Sequence, residues 1–272
     1  ALIGVRYIYH ENFKNHATPN VALMYKPGKF NFRASYAAGF RTPTLSELYA
    51  TDIAKKNDRL TIGNLDLKSE KNNYFSLSAE YVHERFSVSV NAFYNNIRDM
   101  IDYNTIATGD KAMEQYGHKE VRQRDNIAEA KVHGINVSAN AYLGAGFNLS
   151  GGYTHLNTQD VELEQPIDKS IKNAYNINAQ WAHSWKIYRL NINLNGRINS
   201  KRFSKSYGYA PEYQLWNLNT RHSFNLKSVI IEPGCGMENL FDYMDDRPYN
   251  SNYATLTPGR SFYISLSLKF KS

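Results

Sequence analysis

An all-β fold, an antiparallel transmembrane β-barrel, is what this sequence predicts, and three observations predict it. The first is side-chain alternation with period two. Its clearest case is Ser261–Phe270, where Phe262, Ile264, Leu266, Leu268 and Phe270 alternate with Ser261, Tyr263, Ser265, Ser267 and Lys269. Successive strand residues point to opposite faces, so one face is apolar and the other wet. The second is length: such stretches run about ten residues, enough for a tilted strand to cross a bilayer. The third is spacing, because the connections alternate between a turn of a few residues and a longer polar loop. In an antiparallel sheet that rhythm collects every short turn at one end and every long loop at the other.

Each element follows from its own pattern. Val5, Tyr7 and Tyr9 open a strand before a polar loop predicted over 11–20. Val21, Leu23 and Tyr25 lead to the turn Lys26-Pro27-Gly28-Lys29, where Pro and Gly supply the turn geometry. Phe30, Phe32, Ala34, Tyr36 and Ala38 share a face, and a long irregular stretch follows over 41–72. Phe75, Leu77, Ala79 and Tyr81 turn at His83-Glu84-Arg85 into Phe86, Val88, Val90, Ala92 and Tyr94, ahead of a second long stretch over 103–127. Ile135, Val137, Ala139, Ala141 and Leu143 pass through Gly144-Ala145-Gly146 into Phe147, Leu149, Gly151 and Tyr153. After a loop over 157–170, Tyr175, Ile177, Ala179 and Trp181 descend, and Tyr188, Leu190, Ile192, Leu194 and Ile198 return. A Lys- and Tyr-rich loop over 200–213 precedes Trp216, Leu218, Thr220, Phe224 and Leu226. Val229, Ile231 and Met237 rise to the last loop, 241–258. The pattern counts about twelve strands. The apolar faces are expected to meet lipid, and the Asn-, Ser-, Arg- and Glu-rich faces a lumen. Trp181, Trp185, Tyr188 and Trp216 fall near strand ends, where an interfacial aromatic girdle belongs.

Composition narrows the function classes. A mean hydropathy of −0.57 and the lack of any apolar run near ~18 residues exclude membrane helices but not a barrel, whose alternating strands score as hydrophilic. Cys235 is the one cysteine, so no internal disulfide forms. The net charge of +7 comes without a basic helix or nucleic-acid motif, so nucleic acid is not an expected partner. No G-x-S-x-G elbow and no spaced Cys/His set points to catalysis. No linker or low-complexity run divides the chain, which reads as one domain over 1–272. A soluble β-sandwich also alternates, but seldom sorts its loop lengths by end.

Two boxes stand out in the first long stretch: Gly39-Phe40-Arg41-Thr42-Pro43-Thr44-Leu45-Ser46-Glu47-Leu48-Tyr49, and Gly63-Asn64-Leu65-Asp66-Leu67-Lys68-Ser69-Glu70-Lys71. They resemble the GFR-x-P-x-x-x-ELY and GN-x-x-LKPE boxes in the barrels of TonB-dependent outer-membrane receptors. Glu238-Asn239-Leu240-Phe241-Asp242 and Pro258-Gly259-Arg260 resemble that family's closing ENLFD and PGR boxes. Asn126 and Gly134 stand where it commonly has Asn and Gly. Ser69 replaces the usual Pro, and Lys271 and Ser272 extend beyond Phe270, where members usually stop on an aromatic assembly signal. The resemblance implies a barrel of about 22 strands around an N-terminal plug. No plug, TonB-gripped segment or early strand is seen here, so the chain is expected to be the C-terminal part of such a barrel. It further implies the outer membrane of a Gram-negative bacterium and TonB-energised uptake of a scarce nutrient complex: ferric siderophore, haem or cobalamin. A passive porin closed from twelve strands is the rival reading.

Candidate ligand residues come from the loops. Pro43 fixes its own backbone and favours extension at Thr42, while Arg41 and Glu47 are placed to pair near the mouth. Both boxes either brace the loop against the wall or touch ligand or plug. Haem receptors of the family often carry a His between the two boxes, and 41–67 has none; His16 and His118 fall in outer stretches and are the histidines offered to an iron. Lys55, Lys56, Arg59, Lys119, Arg122, Arg124, Lys201, Arg202 and Lys205 accompany Tyr207, Tyr209, Tyr213, Tyr249 and Tyr253. Basic and aromatic groups together suit an anionic aromatic chelate, and equally suit lipopolysaccharide phosphates. The expected ligand set is Arg41, Glu47, Tyr49, His118, Arg122, Arg124, Tyr207 and Tyr209. No resident cofactor or metal is expected, the iron chelate or haem being cargo; Asp242, Asp245 and Asp246 match no calcium loop. Expected partners are outer-membrane lipid and lipopolysaccharide, the TonB complex, the remaining strands and plug, and a surface lipoprotein.

Overall fold

The computed structural model describes residues 1–10, 14–204, 208–245 and 257–271. Its strands are β1 (Leu2–His10), β2 (Lys14–Tyr25) and β3 (Phe30–Arg41), then helix α1 (Leu45–Tyr49) and strands β4 (Thr51–Ala54) and β5 (Arg59–Ile62). β6 (Glu70–Val82) and β7 (Phe86–Thr108) follow, with α2 (Gly109–Tyr116) before β8 (Glu120–Gly144). β9 (Phe147–Asp160), β10 (Asn173–Trp185) and β11 (Tyr188–Asn199) come next, then the short β12 (Arg202–Ser204) and β13 (Gly208–Ala210). β14 (Tyr213–Asn225), β15 (Val229–Glu238) and β16 (Ser261–Phe270) complete the chain.

Twelve of these form one antiparallel path, β1-β2-β3-β6-β7-β8-β9-β10-β11-β14-β15-β16. Neighbours in sequence are neighbours in space throughout. Among the described residues β1 and β16 do not pair with each other, so the path stays open. A pore closed from these twelve strands alone, the rival sequence reading, is therefore not what forms.

Cross-strand pairing confirms the two faces. Tyr36 lies opposite Phe75, and Phe75 opposite Tyr94. On the other face Ser35 and Ser76 share a 2.7 Å hydrogen bond, Asn31 donates to Glu80 at 2.9 Å, and Asn178 donates to Asn193 at 2.8 Å. The apolar face is not folded inward: Phe262, Ile264 and Leu266 are 69%, 89% and 65% exposed. Buried apolar residues among those described number seven, and Leu48, Leu67 and Ile101 form their one cluster, at the mouth. A soluble sandwich would bury its apolar strand faces between two sheets, so that alternative fails.

The short turns fall where alternation places them. At Gly144-Ala145-Gly146 all three residues have φ between 48° and 90°, and a Cβ on Gly146 would lie 1.9 Å from the Ala182 carbonyl oxygen. Only glycine fits there.

The long loops differ from expectation, because several are strand. β2 already runs from Lys14, within the loop expected over 11–20, of which 11–13 lie outside the described residues. β7 has 23 residues and β8 has 25, so the irregular stretch expected over 103–127 shrinks to α2 and its flanks. At about 3.4 Å per residue such strands reach roughly 80 Å, more than twice a hydrocarbon core. Their outer halves carry polar residues on both faces, Asp102, Asn104 and Thr105 on β7 and Arg122, Gln123, Arg124 and Asp125 on β8, so the apolar alternation that marks a membrane strand is missing. Between Ile97 and Ile101 a register shift, with Asp99 at φ 56°, separates the two halves. Likewise β12 and β13 form a small hairpin inside the loop expected over 200–213.

In the closed barrel that contains this chain, Ile264→Arg on the lipid-facing row of β16 is expected to lower unfolding free energy in liposomes by about 2–4 kcal/mol. Ser267→Arg, on the opposite face, should cost less than about 1 kcal/mol in the same urea titration.

Candidate functional site

The mouth is built around the 42–69 loop. Thr44 caps α1: its Oγ1 accepts from the Glu47 N–H at 3.2 Å while its own N–H donates to Glu47 Oε2 at 2.8 Å. This reciprocal pair is a capping box, and it fixes the direction of the Glu47 carboxylate. Arg41, at the top of β3, donates through Nη1 to Glu47 Oε2 at 2.9 Å and through Nε to Glu70 Oε2 at 2.8 Å. Glu70 also accepts from the Ile101 N–H at 2.9 Å. One guanidinium thus ties β3, α1, β6 and β7 together. Charge-assisted forks of this kind are among the stronger polar contacts.

The second box completes the bracket. The N–H groups of Gly63 and Asn64 donate to the carbonyls of Ala50 and Glu47 at 2.8 and 3.0 Å. A Cβ on Gly63 would lie 2.5 Å from the Leu48 carbonyl oxygen, which is why the box begins with glycine. Asn126 on β8 accepts from the Lys68 N–H at 2.6 Å and donates to the carbonyls of Lys68 and Asp99 at 3.0 and 2.6 Å. Its side chain imitates a strand edge.

The far end of the loop is pinned as well. β9 pairs with β8 only from Ala130 onward, which leaves the outer edge of β8 open. β5 occupies it: Arg59–Ile62 pair in parallel with Glu120–Gln123. Beside this ladder Asp58 Oδ1 lies 2.9 Å from His118 Nδ1, and the Lys119 N–H donates to the Asp58 carbonyl at 3.1 Å.

Electrostatics follow from these contacts. Burial pushes the Glu47 carboxyl up, but hydrogen bonds from Arg41 and from the Thr44 backbone and hydroxyl outweigh it, so it titrates below its usual range. Asp58 is likewise held low, chiefly by the His118 hydrogen bond.

The predicted ligand residues separate. Arg41 and Glu47 meet, and Glu70 joins them. Tyr49 is exposed and lines a cavity of about 690 Å³ with His16, Leu65, Asp66 and Lys71. His118 faces Asp58, and Arg122 Nε bonds Glu120 at 2.5 Å. The Arg124 guanidinium lies 3.6 Å from the centroid of the Tyr103 ring and also donates to its hydroxyl. Tyr209 sits apart on β13, edge-on to Phe203. Tyr207, with Lys205, Asp246, Tyr249 and Tyr253, lies outside the described residues. Asp242 Oδ1 accepts from the Arg260 N–H at 2.7 Å, joining the two closing boxes. Sequence reading missed Glu70 as the second partner of Arg41, and missed Tyr103. The first was readable from Glu70 ending a box; a lone Tyr gives no such signal.

A model described as TonB-dependent receptor-like β-barrel matches residues 1–240. The chain belongs to that family. Solved structures agree at the level of fold. A variant of the ferric enterobactin receptor PfeA of Pseudomonas aeruginosa superposes with a TM-score of 0.77 at 20% identity, covering 99% of this chain and 42% of that one. The siderophore receptor PirA of the same species gives 0.70 at 17% identity, with 99% and 45% covered. BauA, the ferric preacinetobactin receptor of Acinetobacter baumannii, gives 0.68 at 18% identity, with 94% and 36% covered. The chain therefore spans less than half the length of these receptors.

Two outcomes check the bracket. Asn126→Ala should lower the local opening free energy of 63–69 by about 1–3 kcal/mol in amide exchange, leaving the barrel strands protected. The Glu47 carboxyl titrates lower folded than unfolded. Its contribution is therefore complete above about pH 4.3 and disappears as pH falls through the folded value. Cleavage within 42–69 by an acid protease should rise as pH falls from about 4 to about 2, with little change above about 5.

Proposed function

We propose that this chain is the wall and part of the outer ligand surface of a TonB-dependent outer-membrane receptor for an anionic, aromatic ferric chelate of the siderophore type. One observation supports that cargo class above the others. Arg122 and Arg124 sit two apart on β8, and Tyr103 and Thr105 stand opposite them on β7. Arg59 and Thr61 continue the same face across the parallel pairing of β5 with β8. Three guanidiniums, the Glu120 carboxylate that accepts from Arg122 and a phenol ring thus share one face of the outer sheet. Asn126 lies on that face too, two residues from Arg124, and holds the loop. Arg59 is half-buried, and its Nε has no hydrogen-bond partner among the described residues. Guanidiniums recognise carboxylate and catecholate oxygens through paired donors, and stack on aromatic planes.

Arg41 and Glu47 serve as bracing in this reading, since each is engaged by the other and by its neighbours. What supports this cargo class from outside the chain is that solved structures of like fold include ferric enterobactin and siderophore receptors. Uptake would draw on the TonB complex in the Gram-negative outer membrane, and no bond-making step is proposed. In the full receptor, Arg122→Ala with Arg124→Ala should weaken binding of a ferric tricatecholate at least about tenfold. Haem and cobalamin binding, measured alongside, should stay undetected. Unchanged tricatecholate affinity, or tight haem binding, would overturn the cargo assignment.

A further inference from the structure

The charge of this chain sits at the end opposite the mouth. The short turns and the end of β16 carry Lys26, Lys29, Arg85, Lys186, Lys227 and Lys271 against Glu84 alone, five of the seven net positive charges. The long connections with their strand ends, 11–20, 41–71, 98–131, 157–172, 200–213 and 238–260, hold twenty bases against twenty-two acids. The mouth is close to neutral, and the rim of short turns is basic.

That rim is exposed and uncompensated. Lys26, Lys29, Arg85, Lys186 and Lys227 are all exposed. None of the five forms an ion pair among the described residues. Lys271 Nζ donates to Asn225 Oδ1 and the Leu226 carbonyl, which holds its charge at the rim.

A lipid-facing aromatic belt lies directly above. Trp185 stacks on Tyr188 at 5.6 Å, and Tyr188 meets Phe224 at 5.0 Å. On the other side of the sheet path Phe30, Tyr81 and Phe86 continue the belt at 4.9 and 5.6 Å. Such belts mark the depth of the headgroups. The basic side chains therefore emerge at the level of lipid phosphates, and long lysines reach that level readily.

We propose that this rim binds the headgroups of anionic phospholipids in the leaflet beside the short turns, and that the charge asymmetry fixes the barrel's seating there. The proposal rests on the membrane-barrel reading given above. Each lysine near an anionic surface strengthens association roughly fivefold, so four neutralised lysines should remove most lipid selectivity. An acidic soluble protein is the competing occupant.

The test uses the full receptor, inserted in nanodiscs of phosphatidylcholine with or without phosphatidylglycerol, with native mass spectrometry of co-retained lipid. Wild type should retain phosphatidylglycerol preferentially. Lys26→Gln, Lys29→Gln, Lys186→Gln and Lys227→Gln combined should cut that preference at least about tenfold, with the melting temperature in detergent unchanged. If the combined variant does not fold, Lys186→Gln alone should lower the preference severalfold. Equal retention of both lipids by wild type, or full preference in the variants, overturns the proposal while leaving the barrel intact. Selectivity appearing only when an acidic soluble protein is present overturns it in favour of that occupant. A receptor that inserts into no bilayer overturns the membrane reading itself.

Discussion

A peptide group left unpaired in hydrocarbon costs several kcal/mol, and that penalty governs everything in this chain that crosses the membrane. It explains why the ten inner strands of the twelve each have a neighbour on both sides, and why every connection between strands is made at one end or the other. Side-chain alternation follows from it. Once the backbone is confined to a sheet, each strand has one face for lipid and one for the lumen. The lipid face needs no partner in the protein, which is why so little apolar surface is buried although the fold is fully formed.

Beyond the membrane a different economy holds. Among the described residues Leu48, Leu67 and Ile101 are the one buried apolar cluster, too little to hold the mouth by hydrophobic packing alone. Polar groups that imitate backbone take over. Asn126 pairs with Lys68 and Asp99. Asn239, 5% exposed, does the same at the closing boxes, donating to the carbonyls of Tyr243 and Pro258 and accepting from the Tyr243 N–H. Arg41 performs the equivalent task with charge. The family boxes are thus the places where a loop is sewn to a wall, which accounts for both their residue types and their spacing.

How much was legible in the sequence follows the same division. The membrane strands were readable because their two faces meet different solvents, so Ser261–Phe270 announces itself. The outer halves of β7 and β8 were not, because polar residues on both faces erase the alternation. The pairing of Arg41 with Glu47 could be foreseen, and Thr44-x-x-Glu47 carries the capping signature that orients it. The parallel ladder between β5 and β8 could not. Arg59–Ile62 is four residues long, and nothing in them names a partner some sixty positions away. The predicted ligand residues scattered for a related reason: loop chemistry shows which groups are present, while strand register decides which of them share a face.

The insertion of β5 along β8 has a consequence for life in a crowded surface layer. A bare strand margin projecting above a membrane is a template on which a neighbouring molecule can lay its own strand. By filling part of that margin from its own chain, over Glu120–Gln123, the barrel leaves less of it for a neighbouring molecule to use.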